Sequence, residues 1–179
     1  AQTYLQYYLA DVVRSFQALG RTLTEAPFQA VALLGLLISL GAALASVPAG
    51  RASDRLGRKP LIYLSGAGLG LLMPFLLLFP RYDLLLALAL VFGLFYGVYL
   101  AVDWALVADV LKDPEAHATD MGLWQTAIVV PQVLAGAFGR PLDLLNAQTP
   151  GLGYQVLYLL AALFFLLGAF GVAGVRRSR

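Results

Sequence analysis

Five stretches of this chain carry no charged side chain: Ala26–Gly50, Pro60–Pro80, Leu84–Val102, Met121–Gly139 and Leu144–Val175. A helix rises about 1.5 Å per residue and the hydrocarbon layer of a bilayer is about 30 Å thick, so roughly 20 residues span it. All five runs are about that long or longer. Runs such as Leu71–Phe79 are apolar on every face, whereas the strands of a membrane barrel alternate apolar and polar. In lipid each backbone N–H and C=O must find its partner inside the structure, and a helix does this within one segment. Composition agrees: 60% of the residues are hydrophobic and 12% charged, against about a quarter charged in soluble domains. Too little polar surface remains to coat a water-soluble globule. The predicted fold class is all-α, polytopic and transmembrane.

Along the chain, residues 1–20 read as a partial helix, because only about ten residues precede Asp11, too few to span. They lack the basic start and small-residue cleavage site of a signal peptide. The simplest reading is the second half of a helix whose beginning is missing. A polar loop, Arg14–Glu25, leads to a helix over about 26–49, then the charged connector Gly50–Lys59 and a helix over 60–79. Pro80–Asp83 forms a tight turn, with Pro and Asp as its turn formers. Further helices are predicted over 84–108, 121–138 and 154–175. The loop Asp109–Asp120 separates the first two, with Thr119 or Asp120 placed to cap the helix that follows. A linker, Gly139–Gly153, separates the last two.

Loops on alternate sides put the Gly50 connector, the Asp109 loop and the C-terminal tail on one face. That face carries Arg51, Arg55, Arg58, Lys59, Lys112, Arg176, Arg177 and Arg179. The other has Arg14, Arg21, Arg81 and Arg140. Eight against four places the Gly50 connector and the C-terminus in the cytoplasm by the positive-inside rule, with the chain in the cell membrane. The same flanking pattern explains the net charge of +2 as membrane topology, and no nucleic acid is implied.

The connector reads Gly50-Arg51-Ala52-Ser53-Asp54-Arg55-Leu56-Gly57-Arg58-Lys59. Gly50 allows helices to approach closely, and Gly57 permits a turn conformation largely closed to other residues. Arg55, Arg58 and Lys59 can meet lipid phosphates. Asp54, an acid among bases, could cap a helix N-terminus or pair with one of those arginines. The run resembles the G-x-x-x-D-R-x-G-R-[KR] signature of the major facilitator superfamily, found between the second and third helices of each six-helix half. Every fixed position matches. A second likeness lies in Tyr99-Leu-Ala-Val-Asp103-Trp104, continuing to Gly122-Leu-Trp124-Gln125 and Pro131-Gln132. It is similar to the tenth and eleventh helices of bacterial members, including sugar-transporting branches. The stub Tyr4–Asp11 resembles the outer end of their seventh helix. The resemblance implies the C-terminal half of such a transporter, helices seven (partial) to twelve, partnered by a missing N-terminal six-helix half and by the lipid bilayer. It also implies that the Gly50–Lys59 loop works as a latch on one access state.

Asp103 is the clear ionisable group within a span, and such groups usually face a protein interior or cavity. It lies about 9 Å from Asp109 by helical rise, in the cytoplasmic leaflet rather than at the midplane. At about 100° per residue, Tyr96, Tyr99 and Asp103 share one face and form a candidate cavity wall. Gly93, Gly97 and Trp104 share another, suited to close helix contact. Asp103 is either a proton or substrate group or a gate partner for an arginine of the Gly50 loop, and its depth favours the gate. Gln125 and Gln132, seven residues apart, face one way. They could bind sugar hydroxyls or a neighbouring helix. Gln6 and Tyr7 are candidates at the cavity mouth.

Nothing resembles a phosphate-binding loop, a metal cluster or a catalytic triad, so no enzyme, metal or cofactor is expected. The reading is secondary transport of a small solute by alternating access. A sugar or glycoside coupled to a proton or cation gradient fits best, with a drug or metabolite exporter as first alternative. A non-transporting membrane scaffold is the second.

Overall fold

A computed structural model describes residues 2–18, 20–110 and 117–171. Among these, seven α-helices occur: α1 (Gln2–Tyr8), α2 (Pro27–Leu56), α3 (Arg58–Leu78), α4 (Tyr82–Val110), α5 (His117–Ala135), α6 (Gly139–Gln148) and α7 (Leu152–Gly171). Five helical stretches are long and apolar enough to cross a membrane: Pro27–Leu56, Arg58–Leu78, Tyr82–Val107, Ala118–Gln148 and Leu152–Gly171. They follow the five uncharged runs.

The boundaries differ from the sequence reading where charge was taken to end a helix. Helix α2 runs on through the charged residues to Leu56, so most of the expected connector is helical. Charge ends the stretch that lipid tolerates, but Arg, Ala, Asp and Leu all sustain a helix in water. The turn is confined to Gly57, with φ 84° and ψ 163°. The linker after α5 is also largely helical. A single 3₁₀ turn, Gly136–Phe138, joins α5 to α6, and Gly151 (φ 86°) makes the real bend before α7. Helix α5 starts at His117, so Thr119 and Asp120 sit inside its first turn rather than at its cap.

At the other terminus α1 widens into a π turn, Leu9–Val13, and Arg14 then turns back in the left-handed region with φ 59°. The loop that follows contains a minimal antiparallel hairpin, β1 (Gln17–Ala18) with β2 (Arg21–Thr22).

Helix packing is tightest between α2 and α4. A Cβ on Gly93 would stand 2.8 Å from Ile38 Cα, one on Gly97 2.6 Å from Ala42 Cα, and one on Gly41 2.5 Å from the Leu90 carbonyl oxygen. The expected Gly93/Gly97 contact surface is therefore used, against α2. The close approach expected at Gly50 is not made: nothing lies within 4 Å of a Cβ there. Gly66 and Gly70 bring α3 onto Ala169 and Leu166 of α7. Without a hydrophobic driving force inside lipid, such small-residue contacts are what hold membrane helices together.

The main core lies away from Gly57. Tyr8, Leu9, Leu34, Met73, Tyr82, Leu85 and Tyr158 cluster there. Two buried hydroxyls in this cluster reach backbone carbonyls: Tyr82 donates to Ala30 at 2.9 Å and Tyr8 donates to Leu76. A smaller cluster, Leu61, Ile62, Val102 and Leu106, ties α3 to α4 near the motif.

Candidate functional site

The motif forms a hinge between two helices. Gly57 donates its N–H to the Ser53 carbonyl at 3.1 Å, which closes α2. Its φ/ψ pair falls in a region that only glycine occupies readily, so the fixed glycine has a backbone reason. Ser53 is buried on the inner side of the last turn, while Asp54, Arg55 and Leu56 are exposed. Helix α3 then opens with Arg58 and Lys59, both half-buried. The cap at Gly57 uses no side chain, so Asp54 does not cap α3. Among the described residues Asp54 enters no ion pair; an ion pair does form at the far end of the bundle, between Arg81 and Asp83 of the first turn of α4, 2.8 Å apart.

Next to the hinge stands the polar stripe of α4. Val102 is fully buried against Leu61 and Ile62 of the first turns of α3, which sets Asp103 at the level of the hinge. Tyr96, Tyr99 and Asp103 are all half-buried, intermediate between core and surface. Tyr96 stacks on Phe92 with ring centroids 6.0 Å apart. The stripe thus exists as a face, distinct from the glycine face that packs on α2. Among the described residues, no ion pair joins Asp103 to Arg51, Arg55 or Lys59.

Gln125 and Gln132 are exposed on α5, and none of the membrane-length window of that helix is buried. Helix α5 meets the bundle through two described contacts. Trp124 packs edge-on against Trp104 at 4.5 Å, and Tyr4 donates to the Ala135 carbonyl at 2.8 Å. Pro131 lies inside the helix beside Gln132 without ending it. No hydrogen bond among the described residues links these glutamines to the Tyr96–Asp103 stripe. Lys112 and the arginines of the tail lie outside the described residues.

Tyr7 and Gln6 are exposed on α1, at the end of the bundle opposite the hinge. A polar group that the sequence reading did not single out gathers there. The Asp11 carboxylate accepts a hydrogen bond from the Tyr154 hydroxyl, 143 residues away in the chain. Tyr8 packs edge-on against both Tyr154 and Tyr158, with centroids 5.7 and 5.3 Å apart. A pocket of about 610 Å³ opens beside them, lined among others by Asp11, Arg14, Asn146, Tyr154 and Gln155. One sequence signal pointed to it: Asp11 interrupts an otherwise uncharged aromatic stretch.

Long apolar helices, glycine-mediated packing and a basic hinge between two spans define a multi-pass helical membrane protein. The model of the Major Facilitator Superfamily matches residues 3–178, and the chain belongs to that family. Its members move solutes across membranes and are not enzymes. Comparison with curated proteins and with solved structures finds no match.

Proposed function

We propose that this chain is the C-terminal half-bundle of a secondary transporter that works by alternating access, with a second six-helix half completing the pathway. The observation that carries this reading is Asp103. It is a half-buried carboxylate, the one charged residue between Leu84 and Val107, level with the hinge and sharing its face with Tyr96 and Tyr99. An acid held inside the bilayer is costly and is kept for a task. The hinge at Gly57, with Asp54, Arg55, Arg58 and Lys59 around it, is the moving gate; it and the C-terminus face the cytoplasm, and the chain lies in the cell membrane. The Tyr96–Asp103 face and the Gln125/Gln132 face of α5 are the walls turned towards the second half. Amide and phenol groups of this kind suit a hydroxyl-bearing solute, a sugar or glycoside, and Asp103 supplies a group for proton or cation coupling.

Uptake into proteoliposomes of the full-length protein, both halves together and driven by an imposed proton or sodium gradient, tests the function. Gradient-driven accumulation of a sugar or glycoside that falls sharply in Asp54→Asn is expected. Accumulation equal to the parent in that variant would sink the gate. Extrusion of hydrophobic drugs with no sugar uptake would favour an exporter, and no movement of any solute a scaffold. The genomic sequence upstream of the Ala1 codon tests the half-bundle: six further spans with their own G-x-x-x-D-R run are expected, and a start codon there would contradict it.

A further inference from the structure

The polar pocket at the end opposite the hinge is separate from the Asp103 face. Tyr82 opens α4 at that end and Asp103 lies 21 residues further on, about 32 Å away by helical rise. The pocket owes its shape to a local departure from α-geometry. The π turn Leu9–Val13 lets Asp11 meet Tyr154 at the start of α7, and such turns recur at functional sites. Arg14 ends the turn with φ 59° and donates from Nε to the Asp11 carbonyl at 2.8 Å. Across the gap Asn146 accepts from the Gly153 N–H at 2.8 Å, which pins the bend between α6 and α7. A Cβ on Gly153 would stand 2.6 Å from the Leu142 carbonyl oxygen, so this wall is fixed by close packing.

These bonds hold the polar groups in place without using them up. Tyr154 takes one Asp11 oxygen and leaves the other. Nε of Arg14 is engaged and its two terminal nitrogens remain. Asn146 is held through its oxygen and keeps its NH₂ donors, and Gln155 offers both kinds of group. One carboxylate and one guanidinium stand in the lining, and Asp143 of α6 acts on Tyr154 from outside it. A solute anion meets these two acids, and a cation meets Arg14. A hydroxyl both donates and accepts, so a neutral solute bearing several hydroxyls answers every group present. The volume of about 610 Å³ sits within the usual range of small-molecule sites, about 300–1,000 Å³. The edge-packed rings of Tyr8 and Tyr154 supply an apolar wall for the C–H face of such a molecule.

We infer that this pocket, built by Asp11, Arg14, Asn146 and Gln155, binds a small uncharged polyhydroxyl solute at the mouth opposite the hinge. Such a site serves the transporter proposed above, yet binding to it is measured without transport, so the two readings fail separately.

The chain has no cysteine, so Ala10→Cys, at an exposed lining position that makes none of these polar contacts, introduces a single thiol into the pocket. Its rate of modification by a charged methanethiosulfonate reagent is followed in liposomes with methyl β-glucoside, sucrose or sorbitol present. At least one of the three slows modification several-fold, whereas glycine betaine and benzoate do not. Leu56→Cys, exposed at the hinge, reacts at one rate throughout. The protection disappears when Asp11→Asn or Arg14→Gln is added, each checked for an unchanged melting temperature. If Asp11→Asn fails to fold, Arg14→Gln alone decides. The inference is overturned if none of the three solutes protects, if betaine or benzoate protects equally, or if protection survives the pocket variants.

Discussion

Replacing Gly93 or Gly97 by alanine should separate α2 from α4, and the size of the effect follows from the geometry. The added methyls would stand 2.8 Å from Ile38 Cα and 2.6 Å from Ala42 Cα. Carbon atoms in ordinary contact are about 3.5–4.0 Å apart. The obstacles are backbone atoms of α2, which no rotamer change can move aside, so the helices must part by about 1 Å. A gap of that size forfeits about a quarter to a half of each contact along the seam, and overpacking of this kind costs about 1–3 kcal/mol. One separation accommodates both methyls. The double variant should therefore cost about as much as the worse single one, well short of their sum, as expected for coupled neighbours. Gly35→Ala on α2 and Gly168→Ala on α7, where nothing lies within 4 Å, are the controls. They should be neutral or gain about 0.5–1 kcal/mol from helix propensity. Reversible unfolding in mixed micelles measures all five variants. Additive losses, or Gly93→Ala as harmless as Gly35→Ala, would show that this seam is not the contact that holds α2 to α4.

Gly57→Ala should cost about 1–3 kcal/mol, because φ 84° with ψ 163° is a conformation that alanine takes only under strain; Gly50→Ala, helical and with open space around it, should be neutral or gain about 0.5–1 kcal/mol, like Gly35→Ala. Tyr82→Phe removes the hydroxyl that the Ala30 carbonyl accepts from at 2.9 Å; that carbonyl keeps its helical partner within α2, so unfolding in the same micelles should show a loss of about 0.5–1.5 kcal/mol, the net worth of one hydrogen bond. Asp103→Asn should lower gradient-driven uptake while leaving unfolding stability equal or higher, since removing a charge from a span relieves a desolvation cost. Unchanged uptake in that variant would remove Asp103 from the mechanism.

Where a local rule decides the outcome, sequence and structure agree: the five uncharged runs are five membrane-length helices, Gly57 is a positive-φ turn, and the Gly93/Gly97 face is a seam against α2. They part where a residue's effect depends on its surroundings. Three charges among Arg51–Leu56 suggest a loop, but a helix leaving the bilayer continues in water until a residue such as Gly57 stops it. The Gly139–Gly153 stretch was read as a linker from its Gly, Pro and Asn content, yet Leu142 finds a buried place and supports α6. The Asp11–Tyr154 bond and the pocket beside it join residues 143 positions apart, and only the packing of α1 on α7 brings them together. For Asp103 the sequence supplied the face and the depth, and the structure added that no partner from the neighbouring hinge residues Arg51, Arg55 and Lys59 neutralises it here.

The alternating-access reading is tested most directly by the accessibility of a cysteine at Tyr99, the middle of the α4 stripe. In the full-length protein, cleared of any cysteine outside this cysteine-free chain, Tyr99→Cys is exposed to a membrane-impermeant thiol reagent from one side of sealed vesicles at a time, with and without a transported solute. Reaction from both sides is expected, with solute shifting the balance from one to the other, while Leu56→Cys reacts only from the hinge side. A Tyr99→Cys thiol that stays inert from both sides, or reacts from one side at a rate solute does not alter, would contradict it.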